Sequence, residues 1–266
     1  KQMKDHPGNP IELSVIFTDL EYGTYILLFP KLISGPIAQF ADMAEQLKKH
    51  PIRLEKIEHG LTLFIIGLGY KVIIANHLAI LWRDIQGIGF ESISTPLAWM
   101  GAFGYSAQLF FDFQGYSLMA IGIGEMLGFN LPKNFDHQYR SRTVSEFYRR
   151  WHITLGRWFR DYLYIPLGGN RKGNAWTFFN LLIVWVVTGM WHGSTINFPL
   201  WGLILFVFIA LERFVIRDFL EKHGWLAHLY IWFVIPLTWV VFAITKLSDL
   251  KVYFARLFPF FGTGIA

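Results

Sequence analysis

The residue with the most chemical reach is His192, an ionisable ring inside Trp176–Leu211, a run of 36 residues without one Asp, Glu, Lys or Arg. Ionisable groups in such a run are costly and usually face a bundle interior or a water-filled cavity. An imidazole titrates near neutral pH, so it suits proton transfer. Gly193 beside it removes side-chain bulk and lets a substrate approach. A hydrogen-bonded helix-packing histidine is the alternative, and the run alone leaves both readings open.

Three further groups have chemical potential. His152 lies beside Gly156 in a basic stretch, where a histidine is commonly a snorkelling or capping group. Asp112, between Phe111 and Phe113, is a carboxylate after an apolar run, with a structural ion pair or hydrogen bond as its plainer role. Lys71 has three possible roles: snorkelling, pairing with a buried acid or binding an anion. Among the basic residues, Arg149, Arg150 and Arg157 are candidates to hold lipid phosphate or a phosphorylated donor such as a coenzyme, while anchorage to anionic headgroups is the simpler use of such arginines. With no cysteine, disulfides, thiolate metal sites and a Cys nucleophile fall away. The sequence also lacks G-x-S-x-G, G-x-x-x-x-G-K-[ST], H-E-x-x-H and G-x-G-x-x-G, which leaves histidine chemistry without an expected metal or tightly bound cofactor.

The elements that must position these groups read as membrane helices. Hydrophobic residues make up 53% and charged residues 16%, against roughly 25% charged in soluble domains. Aromatics reach 18%, and Trp and Tyr favour the headgroup level. The Trp176–Leu211 run is too long for one crossing of about 20 residues and nearly enough for two, so a break near His192–Pro199 predicts a helical hairpin. Further candidates are Leu61–Trp82, Leu97–Phe111, Ser117–Leu127 and Leu229–Thr245, several of them short enough to imply tilt or re-entrance. Tyr22–Phe40, with Pro30, Gly35 and Pro36, predicts a broken helix. On a helical wheel of Ser145–Leu163, Phe147, Trp151, Leu155, Trp158 and Tyr162 share one arc and Arg149, Arg150, Arg157 and Arg160 the other. This predicts one amphipathic helix in the interfacial plane, with His152 at the border of the arcs. The fold class is therefore all-α and polytopic, and residues 1–266 are read as a single transmembrane domain. The opening without Met carries the expectation of a piece of a longer chain.

The run FYRRWHITLGRWFRDYLYIPLGGNRKG, Phe147–Gly173, resembles a signature of the membrane-bound O-acyltransferase family, in its bacterial alginate O-acetylase-like branch. FPKLISGPIAQF (Phe29–Phe40), FFDFQGYSLMAIGIGEMLGFNLPKNF (Phe110–Phe135) and TGMWHGSTINFPLWG (Thr188–Gly202) agree with that branch, in family order. Gln114 departs from it, standing where a small residue such as Ser is expected. The resemblance implies helices around a tunnel, in which an acyl group passes to a hydroxyl at a membrane-embedded histidine. His192 matches that histidine, and His152 matches the family's second one. It also implies an acyl donor such as acetyl-CoA from the cytoplasm, an extracytoplasmic polysaccharide acceptor such as alginate, and relay to a periplasmic partner. His192 acts in this reading as general base, with a covalent acyl-imidazole as a variant. His152 orients the donor or stabilises the oxyanion. Family members are longer and begin with further transmembrane helices.

Two rivals keep the fold and change the acyl group or its acceptor: D-alanyl transfer to teichoic acid and O-acetylation of peptidoglycan. Two others are no enzyme: a transporter lined by the polar intramembrane residues, or a scaffold. Membrane lipid is an expected partner. Nucleic acid is not, because the basic residues flank membrane-grade segments.

Charge gives a topology. Leu131–Gly173 holds nine basic and three acidic residues, so with a chain total of +5 the remainder sums to −1. Such a bias predicts a cytoplasmic segment, and the resemblance implies a multi-pass protein of a cytoplasmic (inner) membrane. The absence of native cysteine makes the test direct. Lys133→Cys and Lys172→Cys variants should resist an impermeant thiol reagent added outside intact cells, and ready labelling from outside would refute the orientation.

Overall fold

The computed structural model describes residues 19–259, and among them every regular element is helical. Four helices are long and apolar enough to cross a membrane: Leu54–Ile88, Asn174–His192, Asn197–Lys222 and Gly224–Ala243. The described chain is an all-α polytopic membrane protein, and it forms two compact units.

The first unit comprises residues 1–71 and 113–134. Helix α1 (Asp19–Leu27) and α2 (Phe40–Lys48) are separated by a 3-10 turn at Phe29–Lys31, so the expected break within Tyr22–Phe40 is present. Met43 and Leu47, one turn apart on α2, bury their side chains with Leu28, Ala38, Phe129 and Leu131. Helix α3 (Leu54–Gly69) and the later part of α5 (Thr95–Met126) cross where neither has a side chain. A β-carbon on Gly60 would collide with the Gly122 carbonyl, and one on Gly67 with that of Gly115. Both pairs are spaced seven residues, or two turns, so the backbones approach along one small-residue seam. At its end, Gln46 accepts from the Asn130 amide at 2.6 Å and Lys56 donates to the Gly128 carbonyl at 3.2 Å.

The second unit comprises residues 72–112 and 135–266. Leu61–Trp82 belongs to a longer helical run in which α3 passes through a π-helical segment, Tyr70–Ala75, into α4 (Asn76–Ile88). Leu97–Phe111 and Ser117–Leu127, expected as separate spans, are one 32-residue helix, α5. Asp112, Gln114 and Gly115, which mark a gap in hydropathy, leave the backbone ladder intact because none of them stops a helix in an apolar environment.

The single helix expected over Ser145–Leu163 is two. Helix α6 (Val144–Arg150) ends at an antiparallel bridge between Trp151 and Phe135, and α7 (Ile153–Phe159) begins after His152, followed by a π turn at Arg160–Tyr164. The wheel missed the break because Phe147, Trp151 and Leu155 are all buried, so the apolar arc continues through it. The turn after it was legible: Gly168 and Gly169 have φ of 103° and 56°, which suits glycine.

The hairpin expected in Trp176–Leu211 is present as α8 (Asn174–His192) and α9 (Asn197–Leu211), which continues through a π segment, Glu212–Ile216, into α10 (Arg217–Lys222). Helices α11 (Gly224–Ala243) and α12 (Leu247–Leu257) follow. Trp201, Leu205, Ile209 and Glu212 form one buried stripe on α9 and its extension; Ile231, Ile235 and Trp239 form another on α11. Glycines set the hairpin's spacing, since β-carbons on Gly189 and Gly202 would press into the Phe198 and Trp185 carbonyls respectively. Gly202→Val should therefore force α8 and α9 apart and cost about 1–3 kcal/mol or more, seen as a lower melting temperature in detergent. Gly23→Ala, where the space is open, should be nearly neutral. Equal melting of the two variants would show that the glycine seam does not set the spacing.

Candidate active site

His192 ends α8, and the chain turns through Gly193 into α9. The turn is built from polar side chains. Asn197, fully buried, donates to the Phe242 carbonyl at 2.8 Å and accepts from the Thr195 hydroxyl at 2.6 Å. A β-carbon on Gly193 would overlap the Phe198 ring, so glycine allows that ring to close in.

The imidazole sits in an aromatic cage. Its ring meets Trp201 at 5.3 Å and Phe242 at 5.2 Å, both nearly perpendicular, with Phe198 at 6.5 Å. Trp201 stacks on Trp239 at 5.7 Å, and Trp239 meets Trp151 at 5.1 Å. Continuous aromatic contact thus runs from His192 to the residue before His152.

His152 occupies the break between α6 and α7 with φ 48° and ψ 52°, a left-handed conformation that is uncommon for a residue other than glycine. The bridge on its N-terminal side holds it there: the Asp136 amide donates to the Arg150 carbonyl at 3.0 Å. Burial pushes its imidazole down to about 3, and proximity to His192 pushes the same way. Burial thus favours the neutral form of His152 at physiological pH.

Sequence reasoning missed what fixes α6. Thr143 caps it, accepting from the Glu146 amide at 3.0 Å. Glu212 grips the same end from the spanning helix: its carboxylate accepts from the Val144 amide, from the Ser145 amide at 3.1 Å and from the Ser145 hydroxyl at 3.0 Å. The signal was available, because Glu212 is the charge that ends the uncharged run at Leu211. Trp201, Trp239 and Tyr148 were missed too, their aromatic character having been assigned to the headgroup level.

The other sequence candidates have their own surroundings. Arg150 pairs with Glu146 at 2.8 Å and Arg157 with Asp161 at 3.7 Å, whereas Arg149 is exposed. Asp112 is on α5 in the second unit and Lys71 is in the first, and each interacts with a neighbour. Gln114 buries its side-chain carbonyl without a hydrogen-bond donor.

Glu212→Ala would strand three donors, two of them backbone amides, at about 1–3 kcal/mol for each buried one. Glu212→Gln keeps one acceptor but turns an amide donor toward them. Melting temperature should fall in the order wild type, Gln, Ala. An Ala variant that melts with wild type would show that the carboxylate does not hold α6.

Comparison with known proteins bears on what the cage serves. The family model described as MBOAT, membrane-bound O-acyltransferase family, matches residues 12–248. The chain is 37% identical over 242 residues to the Probable alginate O-acetylase AlgI of Pseudomonas fluorescens, covering 91% of this chain and 48% of that one. It is 38% identical over 244 residues to the peptidoglycan O-acetyltransferase of Helicobacter pylori, covering 88% and 46%. To the teichoic acid D-alanyltransferase of Bacillus subtilis it is 28% identical over 213 residues, covering 76% and 53%. The chain thus spans about half the length of these relatives.

Proposed function

Since the chain belongs to the membrane-bound O-acyltransferase family, we propose that it transfers an acetyl group from a cytoplasmic thioester, acetyl-CoA, toward hydroxyls of an extracytoplasmic polysaccharide such as alginate, with His192 as general base. The observation that carries this reading is His192 in an aromatic cage at the end of a membrane-grade helix, linked by ring contacts through Trp201, Trp239 and Trp151 to the residue before a buried His152. Acetyl is favoured over D-alanyl by identity, 37–38% to the two relatives named for acetyl transfer against 28% to the one named for D-alanyl. Alginate and peptidoglycan acceptors are supported about equally on that measure, and the acceptor assay decides between them.

In the reaction the acceptor oxygen attacks the acyl carbon as His192 takes its proton. The tetrahedral centre then expels the thiolate, which receives that proton. His192 becomes a cation in the transition state, and a second cation nearby would oppose it. A neutral His152 removes that penalty. Arg149, exposed beside it on α6, is the arginine best placed to meet the donor's phosphates, because Arg150 and Arg157 already pair with acids. Transfer through a cytoplasmic (inner) membrane, with relay to a periplasmic partner, completes the reading.

His192→Gln separates a base from a packing group, since an amide keeps a hydrogen bond but takes no proton near neutral pH. The variant should insert and fold like wild type and lose about 10²–10⁴ in transfer rate, measured with radiolabelled acetyl-CoA in membranes containing the full-length protein. His152→Ala should lose less. A Gln variant within about tenfold of wild type would remove His192 as base, and transfer-independent solute uptake would favour a transporter.

A further inference from the structure

Trp201 is 2% exposed, and among the described residues its indole N–H has no hydrogen-bond partner. Buried donors in folded proteins are almost always paired, so one that is not calls for an explanation. Trp indole nitrogen is a donor only, so what it lacks is an acceptor. Trp201 is also the buried ring of the cage that touches His192 edge-on, at 5.3 Å and 89°. The ring that carries this N–H is thus in direct contact with His192.

Other orphaned polar atoms lie in the second unit, but their positions differ. Trp239 and Tyr148 also bury unpartnered donors, and both pack on Trp201, at 5.7 and 6.0 Å, as the layer behind it. The Tyr148 hydroxyl lies beside Thr238 and the Trp239 indole beside Tyr139. Trp201 alone of the three is in ring contact with His192 among the described residues. Its position is rigid as well. Gly202, the next residue, lets α9 press against the Trp185 carbonyl, and Trp239 stacks on the indole face at an interplanar angle of 23°.

We propose that the Trp201 indole N–H binds the carbonyl oxygen of the acyl thioester and holds it as the oxyanion when the acceptor attacks. This rests on the acyl-transfer reading above. As the acceptor oxygen bonds to the acyl carbon and its proton passes to His192, the carbonyl π electrons move onto the oxygen that faces Trp201. When they return, the carbon–sulfur bond breaks, and the thiolate leaves with the proton from His192. A donor fixed in a dry, aromatic site acts on developing charge far more strongly than it would in water, and it needs no reorganisation at the moment of reaction. The missing partner in the resting enzyme is thus the substrate's own oxygen.

The test removes the N–H and keeps the ring. Trp201→benzothienylalanine is nearly isosteric and replaces the N–H with sulfur; Trp201→Phe is its genetically encoded companion. Both are made in the full-length protein and assayed for acetyl-CoA-dependent transfer, with melting temperature measured on the same preparations. Loss of one oxyanion donor typically lowers kcat by about 10²–10³. The isosteric variant should show that loss, with KM within about threefold and a melting temperature equal to or above wild type, because an unsatisfied buried donor has been deleted. A kcat within about tenfold of wild type overturns the proposal. So does an isosteric variant that melts well below wild type, since the N–H would then have a structural partner. Failure of the underlying reading is separate: wild-type protein would turn over no acyl thioester, or His192→Gln would match it.

Discussion

Lipid offers a helix end neither donors nor acceptors, so a hairpin of two apolar helices must settle its own polar groups. Here that task falls on Asn197. Its side-chain amide donates to the Phe242 and Val241 carbonyls, at 2.8 and 3.4 Å, which belong to the last turn of α11 and have no partner within that helix. Its oxygen meanwhile receives the Thr195 hydroxyl. One fully buried side chain therefore closes the turn after His192, caps a second helix and joins the two. Ring contacts of His192 with Trp201 and Phe242 follow from that join, because α9 carries one partner and the end of α11 the other.

The same economy recurs wherever the second unit turns. Asn180, buried on α8, donates to the Gly169 carbonyl at 2.9 Å, and Trp176 donates to that of Leu167 at 2.7 Å, so the basic turn after α7 is stitched to the start of the hairpin. Glu212 does the corresponding work at the far end of α9, holding the first amides of α6. Trp201 and Glu212 share one face of a continuous helix, about 16 Å apart at 1.5 Å per residue. A single rod therefore presents the ring beside His192 and anchors the segment that leads to His152. Buried polar groups that find protein partners build the scaffold, and among the described residues an indole that finds none borders His192.

Much of the fold was legible because lipid solvation imposes long-range patterns. The uncharged run from Trp176 to Leu211 forced two helices, and the polar cluster within it marked their turn. Periodicity was a poorer guide where it was satisfied by the wrong structure. Phe147, Trp151 and Leu155 keep a helical arc across a backbone that is not helical at His152, since a bridge to Phe135, remote in sequence, sets that residue's conformation. Hydropathy erred in the opposite sense on α5, where a polar patch read as a gap is carried within one helix. For the site, one histidine stood out by its cost in an apolar run and the second chiefly by resemblance. Glu212 and Trp201 did not stand out, because an acid at the end of a hydrophobic run resembles a helix terminus, and a tryptophan in a membrane sequence resembles an interfacial anchor.

Electrostatics explains why the aromatic cage and the neutral second histidine belong together. With His192 as the proposed base, the reaction would create a cation on its ring and negative charge on the reacting oxygens close by. At about 4 Å and an effective dielectric of about 20, that attraction is worth about 4 kcal/mol, against about 1 in water. Excluding water with Trp201, Trp239, Phe198 and Phe242 thus favours forming the charge pair, provided no third charge intrudes. A cationic His152 would be such a charge, and burial keeps it neutral. Arginines close by in sequence would be others, and the acids beside Arg150 and Arg157 compensate them locally. A neutral second histidine thus adds no charge beside a cage that sits at the end of an apolar helix.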